Sequence, residues 1–373
     1  MTNVLLTASS YPRSADDWQG IFIRRIADAL AGSPETTLRV WAPPGPLHPN
    51  AESALDSADS RFLERLGAEG GIAHLLRSKP VPGLLRGAQL TRRLHHAYRR
   101  NRGWADVFHI NWLQCALGYL AVRKPALVTV LGSDIALLDV PGMKLALSLA
   151  LRGKRVVLCP NAQWMVPTLS AALGNVCEDI VYVPFGVDDN WFGIRREAVS
   201  KPRIWVTVLR LTKQKIGPLF EWTRDSNPEN DQFHLFGPLQ EALDIPPWIH
   251  YHGPVTPEAL ASEWYPRATG LISLSQHNEG RPQVMLDAMA SGLPVIASPI
   301  PAHTDLITHH RNGLICGNRE EFERALGTLG DGAGAQAISS NALHMVREEY
   351  GNWNDCARRY QLLHRRLTTA PRP

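Results

Sequence analysis

Long apolar runs are missing from this sequence. No stretch reaches about 20 apolar residues, the length a helix needs to cross a bilayer, so a helical membrane span is excluded. Cysteine is scarce: Cys115, Cys159, Cys177, Cys316 and Cys356 are scattered, odd in number and form no Cys-x-x-Cys pair. That spacing suits neither a zinc site nor a disulfide framework. A reducing cytosol is the expected compartment. The opening Met-Thr-Asn-Val-Leu-Leu has no basic leader and no long apolar region, so no signal peptide is expected. A large charge excess is absent too. A net charge of +4 over 373 residues gives no whole-chain case for nucleic acid.

What is present is a series of short apolar runs separated by helical segments, in a chain long enough for two ordinary domains. Residues 3–8, 38–42, 106–112, 126–131, 155–160 and 180–184 read as strands, with 21–30 helical between the first two. After a polar linker, 194–201, the pattern repeats at 203–209, 232–238, 249–253, 270–275, 294–297 and 312–315. Strands alternating with helices predict parallel sheets with ligands at the strands' carboxyl ends. Residues 43–70 read as a surface loop with short helices, and 353–367 as a basic terminal helix. The glycines of 327–334 follow a helix rather than a strand, so that segment reads as a loop and not as a dinucleotide fingerprint.

The stretch from Glu279 to Ser298 carries most of the chemistry. Pro282 suits a first helical position, Ser291-Gly292 supplies a left-handed stop, and 294–297 is a short buried strand. A helix start after a glycine-bearing loop offers free N–H groups, a natural seat for phosphate. Glu279 would repel that same phosphate and suits neutral hydroxyls beside it. Asp287, about two helical turns on, could hold a second diol such as a ribose. Together the features suit a nucleoside-diphosphate sugar. An ordinary α/β unit with two solvent-facing acids reads the same stretch equally well.

This stretch resembles the signature of the retaining, nucleotide-sugar-dependent glycosyltransferases of the "glycosyltransferase group 1" family. Their pattern is Glu-Gly-Phe-Pro, a few apolar residues, Leu-Glu-Ala-Met-Ala and then Gly-Leu-Pro-Val-Val-Ala. Here Arg281 replaces the Phe and Asp287 the second Glu. The resemblance implies an α/β GT-B fold, two Rossmann-like domains facing a central cleft. An acceptor-side domain would cover 1–190 and a nucleotide-sugar domain 191–350. A helix with its tail, 351–373, would return to the first domain. The resemblance gives Glu279, Arg210 and Lys215 catalytic roles. Arg210 and Lys215 hold the places of two phosphate-binding cations, although the glycines that flank them in the family are here Leu209 and Ile216. Donor contacts are implied for Gly20, Gly237 and Pro238, and for Gly280, Arg281, Pro282, Gln283, Val284 and Asp287. Gly20 also reads as a glycine that merely ends a loop. In the first domain, His109, Asn111, Leu131, Gly132, Ser133 and Asp134 fall where the family has acceptor-side or sugar-contacting residues. Asn111 and Leu131 each stand where the family has a His.

No metal and no further cofactor are implied, since the nucleotide sugar is itself a co-substrate. The acceptor implied is a glycan or a lipid-linked sugar, in bacterial surface polysaccharide or lipopolysaccharide synthesis. A non-catalytic sugar-nucleotide-binding or scaffold subunit is the rival, motivated by Leu131, Asp287 and the lost glycines. A glycogen-phosphorylase-like enzyme would need a pyridoxal-phosphate lysine that has no evident position. A sugar-nucleotide epimerase fits the 279–298 motif poorly.

One window, residues 70–105, contains no acid. Arg77, Lys79, Arg86, Arg92, Arg93, Arg99, Arg100 and Arg102 fall within it, interleaved with leucines. Such a stretch can lie on an anionic membrane surface. It can equally be a solvated helix face above core leucines. The first reading places a cytoplasmic protein peripherally at the inner face of the cytoplasmic membrane.

Overall fold

The computed structural model describes residues 1–14, 17, 19–277 and 279–369, with the side chains of Ala73, Leu76, Arg77 and Ala333 outside the description. The chain forms two compact units, residues 1–184 with 353–373, and residues 185–352. The expected boundary at 190/191 lies later than the observed one. The reason is packing: Val187 and Trp191 are buried in the core of the second unit, and Val187 pairs with Asn352. The tail 370–373 lies outside the described residues.

Unit 1 is built on a parallel sheet of seven strands: β1 (Thr2–Thr7), β2 (Thr36–Trp41), β3 (Ala51–Ser53), β4 (Val107–Asn111), β5 (Ala126–Val130), β6 (Val156–Pro160) and β7 (Asp179–Ile180). Their order is β3-β2-β1-β4-β5-β6-β7. Helices α1 (Ile21–Ala31), α2 (Ser57–Ala68), α3 (Ile72–Ser78), α4 (Pro80–Asn101), α5 (Met143–Leu151) and α6 (Val166–Leu173) cross between them. Because connections cover both faces, β4, β5 and β6 are buried along their whole length and read as unbroken apolar runs. Residues 43–70 hold a helix, as expected, and also a strand that was not expected. They contain β3 and the three-turn α2, whose Asp56 caps it by accepting from the N–H groups of Ala58 and Asp59. Helix α4 lies against α2 through a ladder of ion pairs. Arg86 meets Glu69 at 2.8 Å, Arg93 meets Asp59 at 3.1 Å, and Arg100 bridges Asp56 and Asp59.

Unit 2 is a second parallel sheet: β8 (Arg203–Val208), β9 (Asp231–Phe236), β10 (Ile249–Tyr251), β11 (Gly270–Ser273), β12 (Val295–Ala297) and β13 (Leu314–Ile315), in the order β10-β9-β8-β11-β12-β13. Its helices are α7 (Lys213–Ile216), α8 (Leu219–Trp222), α9 (Pro257–Ala259), α10 (Gln283–Ala290), α11 (Pro301–Thr304), α12 (Arg319–Gly330) and α13 (Gly332–Met345). Side chains alternate across the pleat into two cores. Val206, Leu271 and Val295 enter one, while Trp205, Ile272 and Ile296 enter the other. The expected loop at 327–334 is instead two helices meeting at Asp331. Glycine costs roughly 1 kcal/mol in a helix interior, and burial of Leu329, Ala335 and Ile338 overrides that cost.

The last helix, α14 (Trp353–Thr369), belongs to unit 1 and packs on α1. Gln361 donates to Thr36 at 2.9 Å, and Arg155 donates to the Leu367 carbonyl at 2.7 Å. From its buried face Tyr360 and His364 lie against His109 of β4, with ring centroids 4.6 and 5.2 Å away. Burial holds His109 well below its ordinary range and pushes His364 from 6.5 down to about 3. Both rings are neutral when folded, whereas the unfolded chain takes up protons below pH 6.5. Stability is therefore complete above that value and is lost as pH falls from 6.5 toward 3. Denaturant midpoints measured across this range will decline. His364→Leu will flatten the decline by up to about 1.4 kcal/mol per pH unit.

Candidate functional site

In unit 2 the chain leaves β8, builds β9 and β10 on one side, then returns to place β11 on the other. The loops after β8 and β11 therefore part to opposite sides at the strands' carboxyl ends, the place where open α/β sheets bind ligands. Lys215 arrives from the β8 side and Glu279 from the β11 side. Thr212 caps α7 and accepts the Lys215 N–H at 3.2 Å, fixing its backbone. Lys215 Nζ reaches Glu279 Oε1 at 2.9 Å. The structure thus brings together the two residues of opposite charge that sequence reading placed 64 positions apart. Arg210 stands exposed just beyond β8.

A residue missed in the sequence stands behind this pair. His303, fully buried on α11, donates from Nδ1 to the Ser298 carbonyl at 3.0 Å, which leaves Nε2 as the acceptor facing Ser273 Oγ at 3.4 Å. Burial lowers its pKa, with Glu279 and Lys215 close enough to act on it in opposite senses. A lone His in a Pro-rich turn gives no sequence signal.

Gly237 and Pro238 lie beside the β8 loop. Gly237 has φ of +129°, and a Cβ there would sit 1.7 Å from the Leu209 carbonyl oxygen, so only glycine fits. Leu211 N–H donates to the Pro238 carbonyl at 2.9 Å, tying the two strand ends together.

Helix α10 starts one residue later than expected. Pro282 is its cap with ψ of 96°, and Gln283 is the first helical residue. It ends in the predicted left-handed glycine. Gly292 has φ of +69°, and Leu293 N–H returns to the Ala288 carbonyl at 2.9 Å in a Schellman motif. Gln283 donates to the Gly186 carbonyl at 2.9 Å and to Asp287 at 3.3 Å. Asp287 and Val284 are half-buried, and Gly280 is buried. Arg281 differs from expectation. Its side chain is 1% exposed, ion-paired with Asp305 and stacked on the Tyr350 ring. Its guanidinium is committed to the interior, so only its backbone can face a ligand.

In unit 1 the corresponding switch lies between β1 and β4. Gly20, at φ of +73°, caps α1, and a Cβ there would come 2.9 Å from the Ser10 carbonyl carbon. His109 is not at a ligand-facing position. It is fully buried under α14, with Nε2 at 2.9 Å from Thr129 Oγ1. Asp134 also serves the fold: it accepts from Leu131 N–H at 2.8 Å and Leu113 N–H at 3.0 Å, and burial raises its pKa to about 6. Asn111 is buried and donates to the Thr7 carbonyl at 3.2 Å. Gly132 takes the left-handed conformation that lets Asp134 turn back, Ser133 is exposed, and Leu131 is 9% exposed. The buried side-chain carbonyl oxygens of Asn111, Gln114 and Asn161 have no hydrogen-bond partner among the described residues. Gln114 and Asn161 carried no sequence signal.

Residues 219–331, within unit 2, match the family model described as Glycosyl transferases group 1. Over that segment its second unit is similar to the group 1 glycosyltransferases. An uncharacterized glycosyltransferase of Haemophilus influenzae is 29% identical over 116 residues, which is 30% of this chain and 32% of that protein. The chain thus matches about a third of that relative's length. Two solved structures show the fold over the whole chain. A sucrose-phosphate synthase from Thermosynechococcus elongatus superimposes with a TM-score of 0.73 at 16% identity, covering 100% of both chains. Anabaena HepE in complex with UDP-glucose gives 0.65 at 14% identity, covering 97% of this chain and 99% of that one. The fold is GT-B, as the sequence predicts.

Within unit 2 the two ion pairs differ in kind. Asp305→Ala will strand the buried Arg281 charge and cost about 3–5 kcal/mol in a denaturant titration. Glu279→Gln, at a partly exposed pair, will change stability by less than about 1 kcal/mol. Equal costs would contradict this division.

Proposed function

We propose that the protein transfers a sugar from a nucleoside-diphosphate donor to a glycan or lipid-linked acceptor, with retention at the anomeric carbon. The observation that carries this reading is the Lys215–Glu279 pair at the switch point, directly ahead of the α10 N-terminus. Glu279 lies within the segment that matches the family model. The solved neighbour bound to UDP-glucose supports a uridine-diphosphate sugar as the donor class. Arg210, Lys215 and the first N–H groups of α10 stabilise the charge that develops on the leaving diphosphate. Metal assistance is not invoked. Glu279 orients sugar hydroxyls, and Asp287, steadied by Gln283, takes the ribose. The leaving phosphate accepts the proton of the acceptor hydroxyl as the new glycosidic bond forms, so no separate general base is required. Surface polysaccharide or lipopolysaccharide synthesis is the setting this chemistry suits.

Turnover measured over a panel of nucleotide sugars tests the reading. Arg210→Ala will lower kcat by about 100-fold or more with the fold intact, the loss typical of a transition-state donor. Near-normal turnover in that variant, or donor binding with no transfer to any acceptor, would favour the non-catalytic reading instead.

Leu131 sharpens the donor. It is nearly buried, and by the resemblance alone it stands where similar enzymes have a His that hydrogen-bonds the donor sugar near its sixth carbon. A hydroxyl pressed against it would cost roughly 1–3 kcal/mol. We infer a donor sugar without a sixth-carbon hydroxyl, a 6-deoxyhexose or a pentose. Such donors will be used more efficiently than the hydroxylated hexose on the same nucleotide, and Leu131→His will narrow or reverse the preference. Better kcat/KM for glucose or mannose donors in the unaltered protein would refute the inference.

A further inference from the structure

The cations of the acid-free window sort by helical phase. Arg86, Arg93 and Arg100, seven residues apart, face α2 and are held by its acids and Glu69. A second row, whose positions fall within about a 100° arc at the helix's 100° per residue and which ends one residue past α4, faces outward. Its first half is apolar: Val81, Leu84 and Leu85 are 69%, 66% and 63% exposed. Its second half is cationic: Arg92, Arg99 and Arg102 are exposed, with no carboxylate at ion-pair distance among the described residues. The 22-residue helix is about 33 Å long, so the apolar and cationic ends form one elongated strip.

Beside the cationic end lies a hollow of about 580 Å³. His95, Arg99 and Arg102 line it from α4 and beyond, and Arg123 and Lys124 from the turn before β5, with no carboxylate among its lining residues. Gathering these like charges round one hollow costs electrostatic free energy that an anionic occupant recovers. The rim is unusual in two ways. Ala121 holds φ of 64°, a left-handed backbone rare for a residue with a Cβ, and Leu120 beside it is 53% exposed. Aliphatic side chains sharing a face with unpaired arginines suit a lipid surface, which offers hydrocarbon and phosphate together. A nucleic acid offers phosphate without hydrocarbon.

We propose that this face of unit 1 docks on an anionic membrane. Val81, Leu84 and Leu85 enter the acyl boundary, and a lipid headgroup phosphate occupies the hollow among Arg99, Arg102, Arg123 and Lys124. The proposal is independent of the transfer reaction and of the donor.

Vesicle flotation of the full chain tests it, with phosphatidylcholine alone and with an equal mixture of phosphatidylcholine and phosphatidylglycerol. The protein will float with the mixed vesicles, and high salt will release it. Arg99→Ser with Arg123→Ser, at exposed sites, will weaken partitioning about thirtyfold, the effect of two cations near an anionic leaflet. Leu84→Ser with Leu85→Ser will weaken it while leaving its salt dependence in place. Equal recovery from both vesicle types overturns the proposal, as does unchanged recovery of the double-arginine variant. A third outcome also overturns it: inorganic pyrophosphate raises the unfolding temperature of the full chain but not of the double-arginine variant, and no vesicles are bound. The hollow would then be a site for soluble phosphate.

Discussion

Every strand in both sheets runs parallel to its neighbours, so no connection can be a hairpin and each must cross back over a face. That constraint buries both faces of each sheet, produces the unbroken apolar runs of β4, β5 and β6, and collects the loops at the carboxyl edge. It also creates a place in each sheet where the order of building reverses, between β1 and β4 and between β8 and β11. Lys215 and Glu279 stand on the two sides of the second such place. Their meeting is a consequence of topology rather than of nearness in the chain.

The pair is suited to exchange. Its side chains are only partly exposed, 11% for Lys215 and 23% for Glu279, and each is the counter-ion of the other. In the proposed reaction Lys215 trades a carboxylate for a phosphate, and Glu279 trades an ammonium for hydroxyls. Neither charge passes through an uncompensated buried state. Arg281 and Asp305, nearly inaccessible, have no such freedom and hold the start of α10 in place.

Apolar runs made the long strands legible in the sequence, and Ser291-Gly292 made the end of α10 legible. Strand β3 was not, because Ala-Glu-Ser has no apolar signal and becomes a strand only by its register against Leu38 to Val40. The 327–334 glycines misled for the opposite reason: local propensity was outweighed by burial that only the folded unit supplies. His109 lies in a strand read as entering a polar tip and looked like a ligand contact, but it is the middle residue of β4. What removes it from solvent is α14, a helix far away in sequence. Arg281 was read as part of an anion-binding loop, and its partner Asp305 lies in a segment that carried no charge-pairing pattern. His303, Gln114 and Asn161 were invisible because each is a single polar residue whose role depends on neighbours from other strands.

The position of α14 has a consequence for biogenesis. Unit 1 draws part of its core, Tyr360 and Leu367 among it, from a helix translated after the whole of unit 2. Unit 2 is contiguous and can close on the ribosome while the sheet of unit 1 still lacks the cover over His109. The first unit to be made is therefore the last to be finished. Until translation passes Thr369, it depends on chaperones or on its own kinetics to keep that uncovered face from sticking elsewhere.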